Sequence, residues 1–201
     1  SEEYGFALSR KGLYMVYEGK VEEAGPVLGK ALEIQTKASN SKDEHLAKTW
    51  YTFSQFYKAL NQSDSVLKCQ SRNLYYTKKV FGEKSAEATF AEAGMGLTLF
   101  QMGNFASAES ILVAMYEQYK AIGMQESREM AEHCRFLGIV YKDIGNYPKV
   151  AQYFDEALRL CLNIYGDRHE KTGEAYNNVG VSFVVVGNYE KALPHYLKAL
   201  E

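Results

Sequence analysis

Proline, cysteine and net charge are all scarce in this chain, and each scarcity excludes a class of protein. The 201 residues contain three prolines, three cysteines and sixteen glycines, and no stretch is of low complexity, so we see no internal domain boundary. The formal net charge of −2 excludes the strongly basic surface of a general nucleic-acid-binding protein. No apolar run approaches the roughly 20 residues that a membrane-spanning helix needs, and no secretory signal peptide is recognisable after Ser1. The sequence therefore predicts a soluble segment that binds neither nucleic acid nor membrane.

The three cysteines cannot all be paired in disulfides within one chain. Cys69, Cys134 and Cys161 each fall on an apolar helical stripe, which predicts buried and reduced thiols. Because reduced thiols are typical of the cytosol, we expect a cytoplasmic protein.

One regularity organises the whole sequence. A small residue recurs five times, each copy 42 positions after the one before: Gly12, Ser54, Gly96, Gly138 and Gly180. A fixed period of roughly 20–50 residues is typical of stacked-repeat proteins, in which no single unit can bury its apolar face alone. Three residues after the small residue, every copy has a large apolar one: Met15, Tyr57, Leu99, Tyr141 and Phe183.

Each copy also carries the signals of a helix hairpin. A helix-ending position follows the small residue in every copy, occupied by Gly19, Asn61, Gly103, Gly145 and Gly187. Glycine reaches the left-handed conformation freely, and asparagine is the best substitute. Beyond it lies another small residue that lets two antiparallel helices approach closely: Ala24, Val66, Ala108, Val150 and Ala192. The second copy is the weakest, with Ser54, Gln70 and Asn73 where the others are apolar or small.

These patterns together predict the fold class. We expect an all-α fold of ten helices in five antiparallel hairpins, stacked as a right-handed α-solenoid with no strands. A single array over residues 1–201 would have repeats near 5–42, 47–84, 89–126, 131–168 and 173–201. We also expect this array to be a fragment of a longer chain.

The last copy resembles a tetratricopeptide repeat. The residues that carry the resemblance are Tyr176-Asn177-Asn178-Val179-Gly180, Phe183, Gly187-Asn188-Tyr189, Ala192, Tyr196 and Ala199. Ordinary repeats of that family are about 34 residues long, whereas the 42-residue form resembles the kinesin light chain and its relatives. Pro26 and Pro194, at the same place in two repeats, are similar to that group, and so is the link Gly166-Asp167-Arg168-His169, although Glu170 stands where proline is usual. Repeats two and three match the pattern poorly.

The sequence contains few candidates for catalytic or metal-binding residues. Of the four histidines, His45 and His169 are predicted in polar links, and none of the four has a cysteine, histidine or carboxylate at metal-ligand spacing. The sequence contains no nucleophile elbow, P-loop or dinucleotide-binding fingerprint. We therefore predict no catalytic residue, no metal, no cofactor and no enzyme activity.

The remaining candidate for function is the surface formed by the first helix of each hairpin. In stacked hairpins these helices line a concave groove. Their outward positions are apolar in repeats one, three and five and carry Lys or Arg in repeats two and four, which is typical of a partner-binding surface. The predicted groove residues are Tyr17, Lys48, Tyr51, Gln55, Lys58, Phe90, Phe100, Arg135, Lys142, Asn177 and Val181. The alternative is that some of the apolar side chains, above all Leu97 and Val181, pack between neighbouring first helices.

Charge and one amide indicate what such a groove would bind. Lys48, Lys58, Arg135 and Lys142 favour a peptide with acidic residues. The resemblance implies that Asn177 holds the backbone of an extended peptide, since its amide both donates and accepts hydrogen bonds. We expect a non-catalytic protein-interaction scaffold, adaptor-like as in the kinesin light chain group. The alternative is a peptide-sensing regulatory module fused to an effector or DNA-binding domain.

The last repeat ends early, at Ala199-Leu200-Glu201, and lacks a polar capping helix. We therefore expect Val179, Phe183 and Tyr196 to be partly uncovered. For the same reason we expect this end of the molecule to associate with another copy.

Overall fold

A computed structural model describes residues 1–38 and 42–201, and every element in them is helical. Within these residues the chain forms ten helices and no strand, as the 42-residue pattern predicts. Their bounds are α1 Glu2–Tyr17, α2 Val21–Lys37, α3 Asp43–Ala59, α4 Ser63–Phe81, α5 Ala86–Gln101, α6 Phe105–Ala121, α7 Arg128–Asp143, α8 Tyr147–Tyr165, α9 Glu170–Val184 and α10 Tyr189–Lys198. Over the same residues, no helix combines the length and apolarity that would let it cross a membrane. The chain is an all-α helical repeat array.

The helices fall into two compact units, each described by itself below. Unit 1, Ser1–Met102, contains α1 to α5, and unit 2, Gly103–Glu201, contains α6 to α10. Odd-numbered helices are the first helices of the predicted repeats, and even-numbered helices are the second helices. The single array over 1–201 and its right-handed course stay predictions. Residues 39–41, near the end of the first predicted repeat, lie outside the described residues.

The turn inside each predicted hairpin is confirmed by its backbone conformation. Gly19, Gly103, Gly145 and Gly187 have φ between 76° and 79°, and Asn61 is the one described non-glycine residue with positive φ, at 56°. A side chain with a Cβ is disfavoured there, and asparagine tolerates the conformation best. Two of the asparagines that follow also cap the next helix: Asn104 accepts a hydrogen bond from the Ser107 amide, and Asn188 accepts one from the Lys191 amide.

The recurrent glycine marks a close approach of two helices within a hairpin. A Cβ added at Gly138 on α7 would lie 2.3 Å from two ring carbons of Phe154 on α8, whose side chain is buried. A Cβ added at Gly12 on α1 would lie 2.3 Å from Leu28 Cδ2 on α2. Both distances are far below ordinary carbon–carbon contact, so only glycine allows these helices to pack this closely.

The polar residues of the second predicted repeat are bonded to neighbouring backbone. The Asn73 amide on α4 donates to the Ala47 carbonyl oxygen on α3 at 2.9 Å. The Gln70 amide on α4 donates to the Gly94 carbonyl oxygen on α5 at 3.2 Å. Buried polar groups are normally hydrogen-bonded, and the Asn73 and Gln70 donors are, whereas buried Gln70 Oε1 has no partner among the described residues.

One expectation about the last hairpin is wrong. Val179 on α9 is buried, whereas Phe183 and Tyr196 are half-buried as expected. A Cβ added at Gly180 would lie 2.6 Å from a Tyr196 ring carbon, so α9 and α10 pack closely beside this position. Val179 thus belongs to the buried core, and the exposed apolar side chains here lie on α10, as Leu193 and Leu197 do.

Candidate functional site

All eleven residues predicted for the groove lie on first helices. Unit 1 carries Tyr17 on α1, Lys48, Tyr51, Gln55 and Lys58 on α3, and Phe90 and Phe100 on α5. Unit 2 carries Arg135 and Lys142 on α7 and Asn177 and Val181 on α9. The two sets are called the unit 1 surface and the unit 2 surface. Their role in binding stays a prediction.

Exposed aromatic rings dominate the unit 1 surface. Tyr17 and Phe90 are 65% and 60% exposed, and Tyr51 is 40% exposed. Burial, reinforced by the neighbouring Tyr17, raises the pKa of Tyr51. Phe100 is half-buried. The arrangement offers flat apolar contact area together with hydroxyl groups that can bond a ligand.

The two lysines of the unit 1 surface differ in how free their charges are. Lys48 Nζ lies 2.6 Å from Glu44 Oε1, one turn away on the same helix, and 5.8 Å from the Phe6 ring centroid. Lys58 is exposed and has no ion pair with any described residue. Half-buried Gln55 lies between them on the same side of α3 and donates to Ser54 Oγ at 3.4 Å. Lys58 is thus the freer cation for an acidic ligand.

Positive charge on the unit 2 surface is largely compensated by neighbours. Arg135 Nε lies 2.8 Å from Glu132 Oε2, and its guanidinium sits 4.3 Å from the Phe136 ring centroid. Lys171 bridges from Glu132 to Glu174, at 3.7 Å and 2.8 Å. Lys142 Nζ lies 3.3 Å from Asp143 Oδ1. These pairs are solvent-exposed, and such pairs stabilise by only about 0–1 kcal/mol, so a ligand carboxylate can compete for the cations.

Asn177 lines an open recess at one end of unit 2. The recess has a volume of about 710 Å³ and is also lined by His169, Glu174 and Tyr196. The Asn177 side chain is exposed, whereas Val181, one turn farther along α9, is half-buried. The amide of Asn177 is therefore accessible to a ligand, whereas part of the Val181 side chain is covered by the protein.

His45 makes a contact with α1 that the sequence analysis did not predict. His45 lies within α3 rather than in a polar link, and its Nδ1 is 2.7 Å from Glu2 Oε1 on α1. Glu3 lies beside them, with its Oε1 2.6 Å from Lys42 Nζ. Because Glu2 and His45 are 43 positions apart, one period plus one residue, the repeat register could have indicated this contact. A cation at these ligands would have to displace Lys42 from Glu3, so the cluster is a poor metal site as it stands.

The buried titratable groups of the described residues have pKa values shifted mainly by burial. The Nε2 atom of buried His133 lies 2.6 Å from the Leu112 carbonyl oxygen, and burial lowers the pKa of the imidazole. The three cysteines are free and buried as predicted. Burial raises the pKa of Cys69 to about 11 and that of Cys134 to about 12. Thiols with such pKa values are inert at neutral pH.

Comparison with known proteins accords with the helical repeat. The tetratricopeptide repeat family matches residues 127–201. Residues 127–201 thus carry tetratricopeptide repeats. It is 22% identical to Protein KINESIN LIGHT CHAIN-RELATED 2 of Arabidopsis thaliana over 176 residues, which are 87% of this chain and 26% of that relative. The chain thus spans about a quarter of the relative's length, and it resembles kinesin light chain-like tetratricopeptide proteins.

Solved structures share the fold at low sequence identity. BtubC (BKLC) from P. vanneervenii matches with a TM-score of 0.80 and 14% identity, covering 100% of this chain and 90% of that chain. The Rap conjugation gene regulator of plasmid pLS20, in complex with a Phr peptide, matches with a TM-score of 0.71 and 18% identity, covering 94% of this chain and 50% of that chain. At these identities the likeness defines the fold.

Proposed function

We propose that the chain is a non-catalytic protein-interaction scaffold whose first-helix surfaces bind a peptide or a segment of a partner protein. The observation that carries the proposal is the set of exposed rings on the unit 1 surface, Tyr17, Tyr51 and Phe90. Exposed aromatic side chains on one surface are typical of partner-binding sites. The likeness to a peptide-bound Rap regulator and to a kinesin light chain-related protein supports this class of function.

The same surfaces support a particular chemistry of ligand. Tyr17 and Tyr51 provide a flat contact for the side chains of an extended peptide, and the amides of Gln55 and Asn177 can bond peptide backbone on their respective units. The uncompensated ammonium of Lys58 favours a ligand with a carboxylate. The proposed ligand is therefore an extended peptide with aromatic or apolar residues next to acidic ones.

Selection from a random peptide library displayed on phage tests the proposal with no particular partner assumed. We expect selected peptides to be enriched in Asp and Glu. Their affinity, measured by isothermal titration calorimetry, should fall at least tenfold with Tyr17→Ser and with Lys58→Glu. The Lys58 effect should shrink as salt is raised, since an exposed charge pair is screened within about 8–10 Å at physiological ionic strength.

The matched control is Tyr75→Ser, which removes an equally exposed aromatic ring from second helix α4. This variant should keep full affinity, and all three variants should keep the parental melting temperature because surface substitutions change stability by only about 0.5 kcal/mol. If selected peptides bound the Tyr17 and Lys58 variants normally but lost affinity for the Tyr75 variant, the first-helix surface would be the wrong site. Asn177→Ala applies the same test to the unit 2 surface.

An adaptor in the cytoplasm is the specific role that we favour within this class. The three free, buried thiols suit a reducing compartment, and the kinesin light chain-related protein supports the adaptor role. A peptide-sensing module is the second candidate, supported by the Rap regulator. Hydrogen exchange separates them: a sensor should change protection in helices away from the bound peptide, whereas an adaptor should change it only at the contact.

A further inference from the structure

A stripe of cations with one aromatic ring runs along the exposed side of second helix α4. Lys68, Arg72, Tyr75 and Lys79 follow one another at intervals of three or four residues, and all four side chains are exposed. Residues at such intervals share one side of a helix, and buried Val66 lies on the opposite side. This set of four residues is called the α4 stripe.

The first two cations of the stripe are free of ion pairs. Neither Lys68 nor Arg72 is paired with a carboxylate within residues 1–38 and 42–201. Lys79 differs, because its Nζ lies 2.8 Å from Asp43 Oδ2 at the start of α3. The stripe therefore presents two uncompensated positive charges one helical turn apart.

The Tyr75 ring adds apolar contact area beside this pair of charges. It is 57% exposed, and the neighbouring Tyr76 ring meets it edge-on with centroids 5.1 Å apart. That contact restricts the Tyr75 side chain, so a ligand that packs on the ring loses little further side-chain entropy.

The repeat register separates the α4 stripe from the packing of the repeat. No other copy has a cation where α4 has Lys68, or an aromatic residue where it has Tyr75. The residues at the first position are Pro26, Ser110, Gln152 and Pro194. Those at the second position are Glu33, Glu117, Arg159 and Glu201. Side chains that hairpin packing required would recur from copy to copy, so the α4 stripe is a feature of this one helix.

The number and spacing of the free charges indicate a protein ligand. Recruitment to an anionic membrane takes clusters of about 4–8 Lys or Arg residues, and nucleic-acid affinity likewise grows with the number of phosphates that are neutralised. Two cations one turn apart instead match two carboxylates one turn apart, which is the spacing of i and i+4 residues on a second helix. An apolar residue one turn farther along that helix would pack on the Tyr75 ring.

We propose that the α4 stripe binds an acidic, amphipathic α-helix of a partner protein, with carboxylates on Lys68 and Arg72 and an apolar side chain on Tyr75. The stripe lies on a second helix, so it is distinct from the first-helix surfaces and its ligand differs from the extended peptide proposed for them. Short random peptides are rarely helical in water, so a displayed library favours ligands of the first-helix surfaces.

The test uses a fluorescein-labelled helical peptide of about 20 residues, stapled by side-chain bridges so that it holds its helix in water. This acidic probe has two glutamates one turn apart and a leucine one turn beyond each of them, so it can align with α4 in either direction. The control probe has lysine in place of both glutamates. Fluorescence anisotropy with the whole chain should show saturable binding of the acidic probe, at least tenfold weaker binding of the lysine probe, and lower affinity for the acidic probe as salt is raised.

Variants of the chain locate the binding on α4. The double variant Lys68→Glu with Arg72→Glu should bind the acidic probe at least tenfold more weakly and should bind the lysine probe instead. Tyr75→Ser should weaken binding of the acidic probe about threefold. The matched control is Lys30→Glu, which makes the same charge change at the register position of Arg72 on α2. It should change affinity less than twofold, and so should Tyr17→Ser on the unit 1 surface.

Three results would overturn the proposal. They are absence of saturable binding at millimolar acidic probe, equal binding of the two probes, or an equal loss of affinity with Lys30→Glu and with the double variant. The last result would mean that the chain attracts the probe by net charge alone. Phosphatidylserine vesicles that bound the chain when the acidic probe did not would assign the stripe to a membrane. Because all these side chains are exposed, the variants should keep the parental melting temperature, and gain of lysine-probe binding by the double variant would show that it is folded.

Discussion

Replacing Gly138 by alanine tests whether the recurrent small residue sets the helix spacing. The new Cβ would lie 2.3 Å from two ring carbons of Phe154, whereas carbon atoms in contact are normally about 3.5–4.0 Å apart. The ring would have to move by about 1.2 Å, the difference between 3.5 and 2.3 Å. Phe154 is 1% exposed, so it can move only into neighbouring side chains.

The expected cost follows from two opposing effects. Overpacking of this kind costs about 1–3 kcal/mol, and the better helix propensity of alanine offsets about 1 kcal/mol of that. We expect a net loss of up to about 2 kcal/mol of unfolding free energy, measured by urea unfolding followed by circular dichroism.

Gly29 provides the matched control for the Gly138 experiment. It lies inside α2, and an added Cβ there would meet nothing within 4 Å. Gly29→Ala should therefore stabilise by about 0.5–1 kcal/mol. Gly180→Ala should fall between the two, because the half-buried Tyr196 ring can swing outward. Equal stability of the Gly138 and Gly29 variants would refute a close approach of α7 and α8 at Gly138.

Three further predictions concern stability. Ala192→Trp should lower the urea midpoint by the equivalent of about 1–3 kcal/mol, because Ala192 is buried in a close helix contact. Gln35→Met should raise the melting temperature, since the fully buried Gln35 amide has no hydrogen-bond partner among the described residues. Burial lowers the pKa of His133 in the folded chain, so as pH falls the unfolded chain takes up the proton first. The free energy of unfolding should therefore fall as pH drops below about 6.5, by at most about 1.4 kcal/mol per pH unit. His133→Gln should remove that slope in unfolding measurements across pH 5–8.

The helices and turns could be predicted because the repeat presents the same physical constraint five times. A single glycine has many explanations, but Asn61 at the position otherwise held by glycine indicated a left-handed residue, which its φ of 56° confirms. The small residue at Gly138 likewise indicated close helix packing, which is confirmed because a Cβ added there would lie only 2.3 Å from the Phe154 ring. Such backbone and packing features can be predicted from the repeat because every copy has to satisfy them.

Contacts between individual pairs of side chains could not be predicted from the spacing of apolar residues. The groove cations were predicted to favour an acidic peptide, but their own ion pairs were not predicted: Lys48 is paired with Glu44 and Arg135 with Glu132. Such pairs are set by rotamers of long side chains, on which the spacing of apolar residues carries no information. The burial of Val179 could not be predicted for a related reason, because the sequence shows the early end of α10 but not how closely α9 packs beside it.

Stability and recognition therefore rest on different positions of the same repeat. A carbon added at Gly138 would overlap the Phe154 ring, and Ala192 is buried. Lys58 and Tyr17 are exposed, and their substitution removes no packed core. A repeat protein arranged in this way can change its ligand at the exposed positions while the contacts that hold the helices stay intact. Gly138→Ala should lower the unfolding free energy and leave peptide affinity unchanged, whereas Lys58→Glu should lower peptide affinity and leave the unfolding free energy unchanged. If Lys58→Glu lowered both quantities together, the surface residues would also support the fold.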